Sequence, residues 1–146
     1  MSDTGRICIR ANSAELKKDK NIIFKADPYC VFYFGNQVLK TQPCKKGGKH
    51  PAWEETIIFE RATEQILIVQ LWDKDIITKD DFIGEGSIDI VSFLVPGNQS
   101  VSIDLFHKGE CIGKLFVQIE FIPQKNVPQT FGTAYGTQPL STGNKF

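Results

Sequence analysis

What limits this chain most is a succession of short apolar runs, each a few residues long and each closed by turn-forming residues. Residues 7–9, 29–34, 37–41, 56–60, 66–73, 82–90, 101–106 and 114–122 are rich in Val, Ile and Phe. Several alternate in steps of two, as in Val69-Gln70-Leu71 and Phe116-Val117-Gln118-Ile119-Glu120-Phe121. That alternation sends apolar side chains to one face of a strand and polar ones to the other. Gly35-Asn36, Gly47-Gly48, Pro96-Gly97-Asn98 and Lys108-Gly109-Glu110 supply turns between the runs. Only residues 92–95 and the charged 14–20 stretch read as briefly helical. Eight short strands with regular turns predict an all-β fold, an eight-stranded antiparallel β-sandwich.

A chain of 146 residues with 41% hydrophobic content can bury one such core. We expect it in residues 1–123. Residues 124–146 consist largely of Gln, Thr, Gly, Pro, Asn and Ser, with isolated Phe131, Tyr135 and Phe146. So few apolar groups cannot offset the entropy of ordering, so this low-complexity tail is expected to be disordered. It serves either as a solubilising extension or as a binding segment for a protein partner. Seventeen basic and seventeen acidic residues cancel, so bulk charge draws the chain to no polyanion, and no nucleic-acid role is expected. Cys8, Cys30, Cys44 and Cys111 are scattered, without zinc spacing. With no signal-peptide or membrane-span pattern, they point to a reduced, cytoplasmic monomer. No nucleophile motif or phosphate-binding glycine loop accompanies the two histidines, so an enzyme is not expected.

The chemical signal lies in two acidic segments. Ala26-Asp27-Pro28-Tyr29 immediately precedes a strand, and the stretch from Trp72-Asp73-Lys74-Asp75 to Asp80-Asp81-Phe82-Ile83-Gly84 links two strands. A loop this short turns back on itself and gathers Asp73, Asp75 and Asp81. Like charges held together are unfavourable unless a cation neutralises them. Ca²⁺, which takes six to eight oxygen ligands in flexible geometry, is the natural candidate. An EF-hand is excluded: its fifth, sixth and twelfth positions would be Ile77, Thr78 and Gly84.

These residues, with Lys40-Thr41, Pro51-Ala52-Trp53-Glu54-Glu55 and the closing Asp81-Phe82-Ile83-Gly84, resemble the C2 domain family in order and spacing over residues 7–123. The resemblance implies calcium held between loops at one end of the sandwich. Its side-chain ligands would be Asp27 from the first loop and Asp73, Asp75 and Asp81 from the third. Asp80 stands one place before the family's last aspartate and is read as a flanking charge. Where the family carries a further aspartate six residues before Asp-Pro-Tyr, this chain has Asn21; Asp19, two residues earlier, is the alternative ligand. His50 occupies a position where Asn is common. The start of the first strand near residue 6 and the late strand at 114–122 imply the permuted, type II connectivity. Both termini would then lie away from the calcium loops.

Apolar residues flank the acidic ones: Ile22, Ile23 and Phe24 in the first loop, Ile76 and Ile77 in the third. They either fold back as core or insert into lipid, and by resemblance Ile22 and Ile77 stand at membrane-penetrating tips. Ten lysines fall in or near the first three loops: Lys17, Lys18, Lys20, Lys25, Lys40, Lys45, Lys46, Lys49, Lys74 and Lys79. The expected function is therefore calcium-dependent binding to anionic phospholipid membranes such as phosphatidylserine, with recruitment from the cytoplasm when calcium rises. The alternative is a calcium-independent protein-interaction adaptor on the same sandwich.

Overall fold

The computed structural model describes residues 4–17 and 26–126. Eight strands follow in order: β1 (Gly5–Leu16), β2 (Pro28–Phe34), β3 (Gln37–Lys40), β4 (Ala52–Arg61), β5 (Ile66–Asp73), β6 (Asp81–Asp89), β7 (Asn98–His107) and β8 (Glu110–Pro123). Two 3-10 turns, Ile90–Phe93 and Gln124–Asn126, complete the described elements. All pairings are antiparallel, in the order β3-β2-β5-β6-β7-β8-β1-β4. Between β6 and β7 the ladder narrows to the single pair Glu85–Phe106, so the sheet folds there into two four-stranded layers.

Alternation builds the core. On β1, Ile7, Ile9 and Ala11 are buried while Arg6, Cys8 and Arg10 stand at the surface side; Leu115, Val117, Ile119 and Phe121 do the same on β8. Phe34 of β2 meets Phe59 of β4 with ring centroids 5.6 Å apart, joining the two layers. Each such side chain contributes roughly 1.5–3 kcal/mol on burial.

The expected helical reading of residues 14–20 fails where the chain is described. Ala14 and Leu16 continue β1, with N–H groups donating to the carbonyls of Pro51 and Lys49. A bulge between Ala11 and Ser13 shifts the register by one residue, so buried positions pass from odd to even numbers. That break in phase mimics helical spacing in the sequence.

β8 pairs with β1 along its length, from Gly5–Pro123 to Leu16–Gly113, which places the last strand beside the first as the permuted connectivity requires. Gly5 and Pro123 lie together at one end, where the Gln124 N–H donates to the Thr4 carbonyl. The 74–80 loop and the Asp27-Pro28 step lie at the other end. Most of the predicted tail, 127–146, falls outside the described residues.

Candidate metal centre at the loop end

Register brings the acidic residues together. Pro28 of β2 pairs with Asp73 of β5, and Asp73 pairs with Asp81 of β6. Directly opposed residues on neighbouring antiparallel strands lie about 4.5–5.5 Å apart at Cα, so Asp27, Asp73 and Asp81 form a row across three strand ends. The Asp27 N–H donates to Asp73 Oδ1 at 2.8 Å, and the Lys74 N–H donates back to the Asp27 carbonyl at 3.0 Å.

The 41–51 loop clamps this row. The Cys44 N–H and the Trp53 indole N–H both donate to the Pro28 carbonyl, at 2.8 and 2.9 Å. The Gly48 N–H donates to the Ala26 carbonyl, and the Lys46 N–H donates to Asp27 Oδ1 at 2.7 Å. Thr41, buried, accepts the Cys30 N–H on its hydroxyl at 3.0 Å. These bonds give the Lys40-Thr41 and Pro51-Ala52-Trp53 motifs a purpose: they hold the Asp-Pro-Tyr backbone in place.

Burial pushes the Asp73 carboxyl above its ordinary value; the Asp27 N–H opposes that, and the charges of Asp27, Asp81 and Asp75 add to it. Asp73 therefore senses all three of the other predicted ligands. Asp75 behaves differently. Its Oδ1 accepts the Ile77 and Thr78 N–H groups at 2.9 and 3.2 Å, and its Oδ2 accepts the Thr78 hydroxyl at 2.8 Å. The Ile77 N–H, then Thr78, holds its carboxyl below the usual range.

The donors suit a hard divalent cation in kind, since all four are carboxylates and Asp73 is a half-buried one opposed by its neighbours. Yet among the described residues no three acidic, His or Cys side chains converge tightly enough to form a finished cage. One Asp27 oxygen faces the Lys46 N–H, and both Asp75 oxygens face their own loop. Asn21 and Asp19, the remaining predicted ligands, lie outside the described residues, as do Ile22, Ile23 and Phe24.

Ile76 and Ile77 are 94% and 90% exposed, so the third-loop pair is not part of the core. Lys17, Lys40, Lys45, Lys46, Lys74 and Lys79 are exposed around them. Lys40 Nζ lies 5.9 Å from the Tyr29 ring centroid. Tyr29, Lys40, Thr41, Gln42, Pro43 and Lys74 line a groove of about 200 Å³. The larger cleft, about 520 Å³, lies along the β6–β7 seam and does not include the carboxylates.

One contact was not legible in the sequence. The Tyr29 hydroxyl donates to Asp80 Oδ2 at 2.5 Å, while Asp80 Oδ1 accepts the Asp75 N–H at 2.9 Å. Burial and this bond push the Tyr29 phenol up to about 12. The available signal was alternation at the start of β6, which turns consecutive Asp80 and Asp81 to opposite sides.

The known proteins most similar to the chain share this architecture. A phloem protein of 16 kDa from Arabidopsis thaliana, 16 kDa phloem protein 2, is 30% identical over 118 residues, 78% of this chain and 79% of that one. A solved C2 domain-containing protein is 27% identical, with a TM-score of 0.73 over 83% of this chain and 90% of that chain. The two calcium-bound C2 domains of Extended-Synaptotagmin 2 align at 25% identity and a TM-score of 0.63. That alignment covers 84% of this chain and 47% of the two-domain structure. The family model for the C2 domain matches residues 5–130, and with the strand order and loop-end aspartates described above, the chain belongs to the C2 domain family.

Proposed function

We propose that this protein is a peripheral membrane-docking module, without catalytic activity, that binds anionic phospholipid in response to calcium. One observation carries the reading: Asp27, Asp73 and Asp81 stand in a row, Asp73 senses the charge of the others, and Ile76 and Ile77 project beside them into solvent. The calcium-bound state of a structural relative supports the choice of ion. Residues 1–123 form the docking unit in this reading, and 124–146 a tail directed away from the membrane.

Without a cation, the carboxylate row repels anionic headgroups and keeps the isoleucines out of the interface. Bound calcium would supply the charge that cancels this repulsion, together with coordination positions for lipid phosphate oxygens. Asp27, Asp73 and Asp81 would hold it directly, and Asp75 would join by turning from its own loop amides. Ile76 and Ile77 then enter the headgroup boundary, each contributing roughly 1.5–3 kcal/mol. The exposed lysines add about 1 kcal/mol apiece at low salt. In a cell the protein would move from cytoplasm to membrane as calcium rises.

The commitment of Asp75 to its loop favours a second reading, a calcium-independent adaptor on the same sandwich. Calorimetry separates the two. A calcium-responsive module should give heat on titration with Ca²⁺ and a higher melting temperature at millimolar Ca²⁺. Asp73→Asn combined with Asp75→Asn should abolish both. No heat and no thermal shift in the wild type would leave the adaptor.

A further inference from the structure

We propose that Asp80 is a positioning residue: with Tyr29 it latches the 74–80 loop to the sheet and so holds Asp75 and the two isoleucines in place. The inference rests on the calcium reading above, and it assigns Asp80 a role other than ligand or bystander.

The side chain is well placed for this. It is 19% exposed although it sits at the end of an exposed loop. Its two oxygens face different structures. Oδ2 takes the Tyr29 hydroxyl of β2 at 2.5 Å, and Oδ1 takes the main-chain N–H of Asp75 at 2.9 Å. Lys74 Nζ approaches Oδ2 at 3.7 Å from the other end of the same loop. One carboxylate thus ties the loop's last residue to its second residue and to a strand that is 51 positions away in sequence. Tyr29 is itself anchored, since its backbone pairs with Trp72 and follows the clamped Pro28.

The two acidic residues of the loop therefore divide the work. Asp75 organises the tip through Ile77 and Thr78, and Asp80 fixes the position of Asp75. A ligand loop held in place loses less freedom when it binds, which raises affinity without adding a donor. With both oxygens engaged, Asp80 has none turned toward Asp73, whereas no hydrogen bond from a described residue reaches the Asp81 carboxylate.

Asparagine cannot replace this carboxylate, because its single oxygen can serve Tyr29 or the Asp75 N–H but not both. Phenylalanine at position 29 removes only the hydroxyl. The test compares Tyr29→Phe, Asp80→Asn and the double variant, with thermal melting to confirm folding. In chelator, amide exchange of Asp75 followed by NMR should quicken about tenfold in each single variant, the scale of one charge-assisted hydrogen bond. In calorimetry with CaCl₂ alone, each single variant should bind about tenfold more weakly at unchanged stoichiometry. The double variant should add little, because both substitutions cut the same tie.

Unchanged Asp75 exchange in Tyr29→Phe overturns the latch. Lower stoichiometry in Asp80→Asn, with Tyr29→Phe binding as wild type, overturns it in favour of Asp80 as a ligand. No calcium heat in the wild type, with exchange faster in both single variants, overturns the calcium reading while the latch stands.

Discussion

At the scale of single residues, Asp73 is the most informative side chain, because it is half-buried, accepts one N–H and is opposed by three neighbouring carboxylates. Asp73→Asn keeps an oxygen for the Asp27 N–H and removes the opposed charge. In chelator the variant should melt higher, by about 2–5 °C, and millimolar Ca²⁺ should no longer shift it. A lower melting temperature in chelator would show that the carboxylate stabilises the cation-free fold. The row of Asp27, Asp73 and Asp81 was legible in the sequence because strand ends and turn lengths fix where those residues fall. The Tyr29–Asp80 bond was not, because it depends on β2–β5–β6 register rather than on any local pattern. The state of the Asp75 carboxylate was also hidden, since a cap and a ligand have the same sequence.

Elements show how the sheet edges are managed. β3 and β4 are the two outer strands of the order, and each leaves backbone groups unpaired along one side. The Gln37 side chain bridges them: its Nε2 donates to the Glu60 carbonyl at 2.6 Å, and its Oε1 accepts the Glu60 N–H at 3.0 Å. Gln37→Ala should cost about 1 kcal/mol in a urea titration, since two exposed but well-formed bonds are lost. An unchanged midpoint would mean that water replaces the amide without loss. The turn from β4 to β5 carries a pH dependence. Hydrogen bonds from its own main chain and from the Ala62 N–H hold the Glu64 carboxyl below its ordinary 4.5. Folding then favours the ionised form, so its stabilisation is present above pH 4.5 and lost as pH falls through the lowered value. Glu64→Gln should be less stable than wild type at neutral pH, and the gap in melting temperature should close under acid. A gap that persists at low pH would assign the effect to packing against Gly35 instead. Seven of the eight strands lie close to where alternation put them; β1 was read short because its bulge interrupts the alternation at Ala11 and Ser13.

Across the whole molecule, closure depends on two features. The β1–β8 ladder joins the first strand to the last, a pairing the sequence revealed through the late run at 114–122. The β6–β7 seam carries a single bridge and was not legible, because it follows from how the two layers diverge. Gly86 lies at that seam, where an added Cβ would run into the Asp104 carbonyl oxygen and come within 2.7 Å of Ile103 Cγ2. Gly86→Ala should destabilise the fold by about 3 kcal/mol in urea; a loss below about 1 kcal/mol would show that the seam yields. Docking draws on both levels, since the loops work only where rigid layers hold three strand ends in a row. Co-sedimentation with vesicles of graded phosphatidylserine content, each at graded Ca²⁺, tests that claim most directly. Pelleting should appear only when Ca²⁺ and anionic lipid are both present, and a chelator should return the protein to the supernatant. Equal pelleting with and without chelator, or none under any condition, would contradict it.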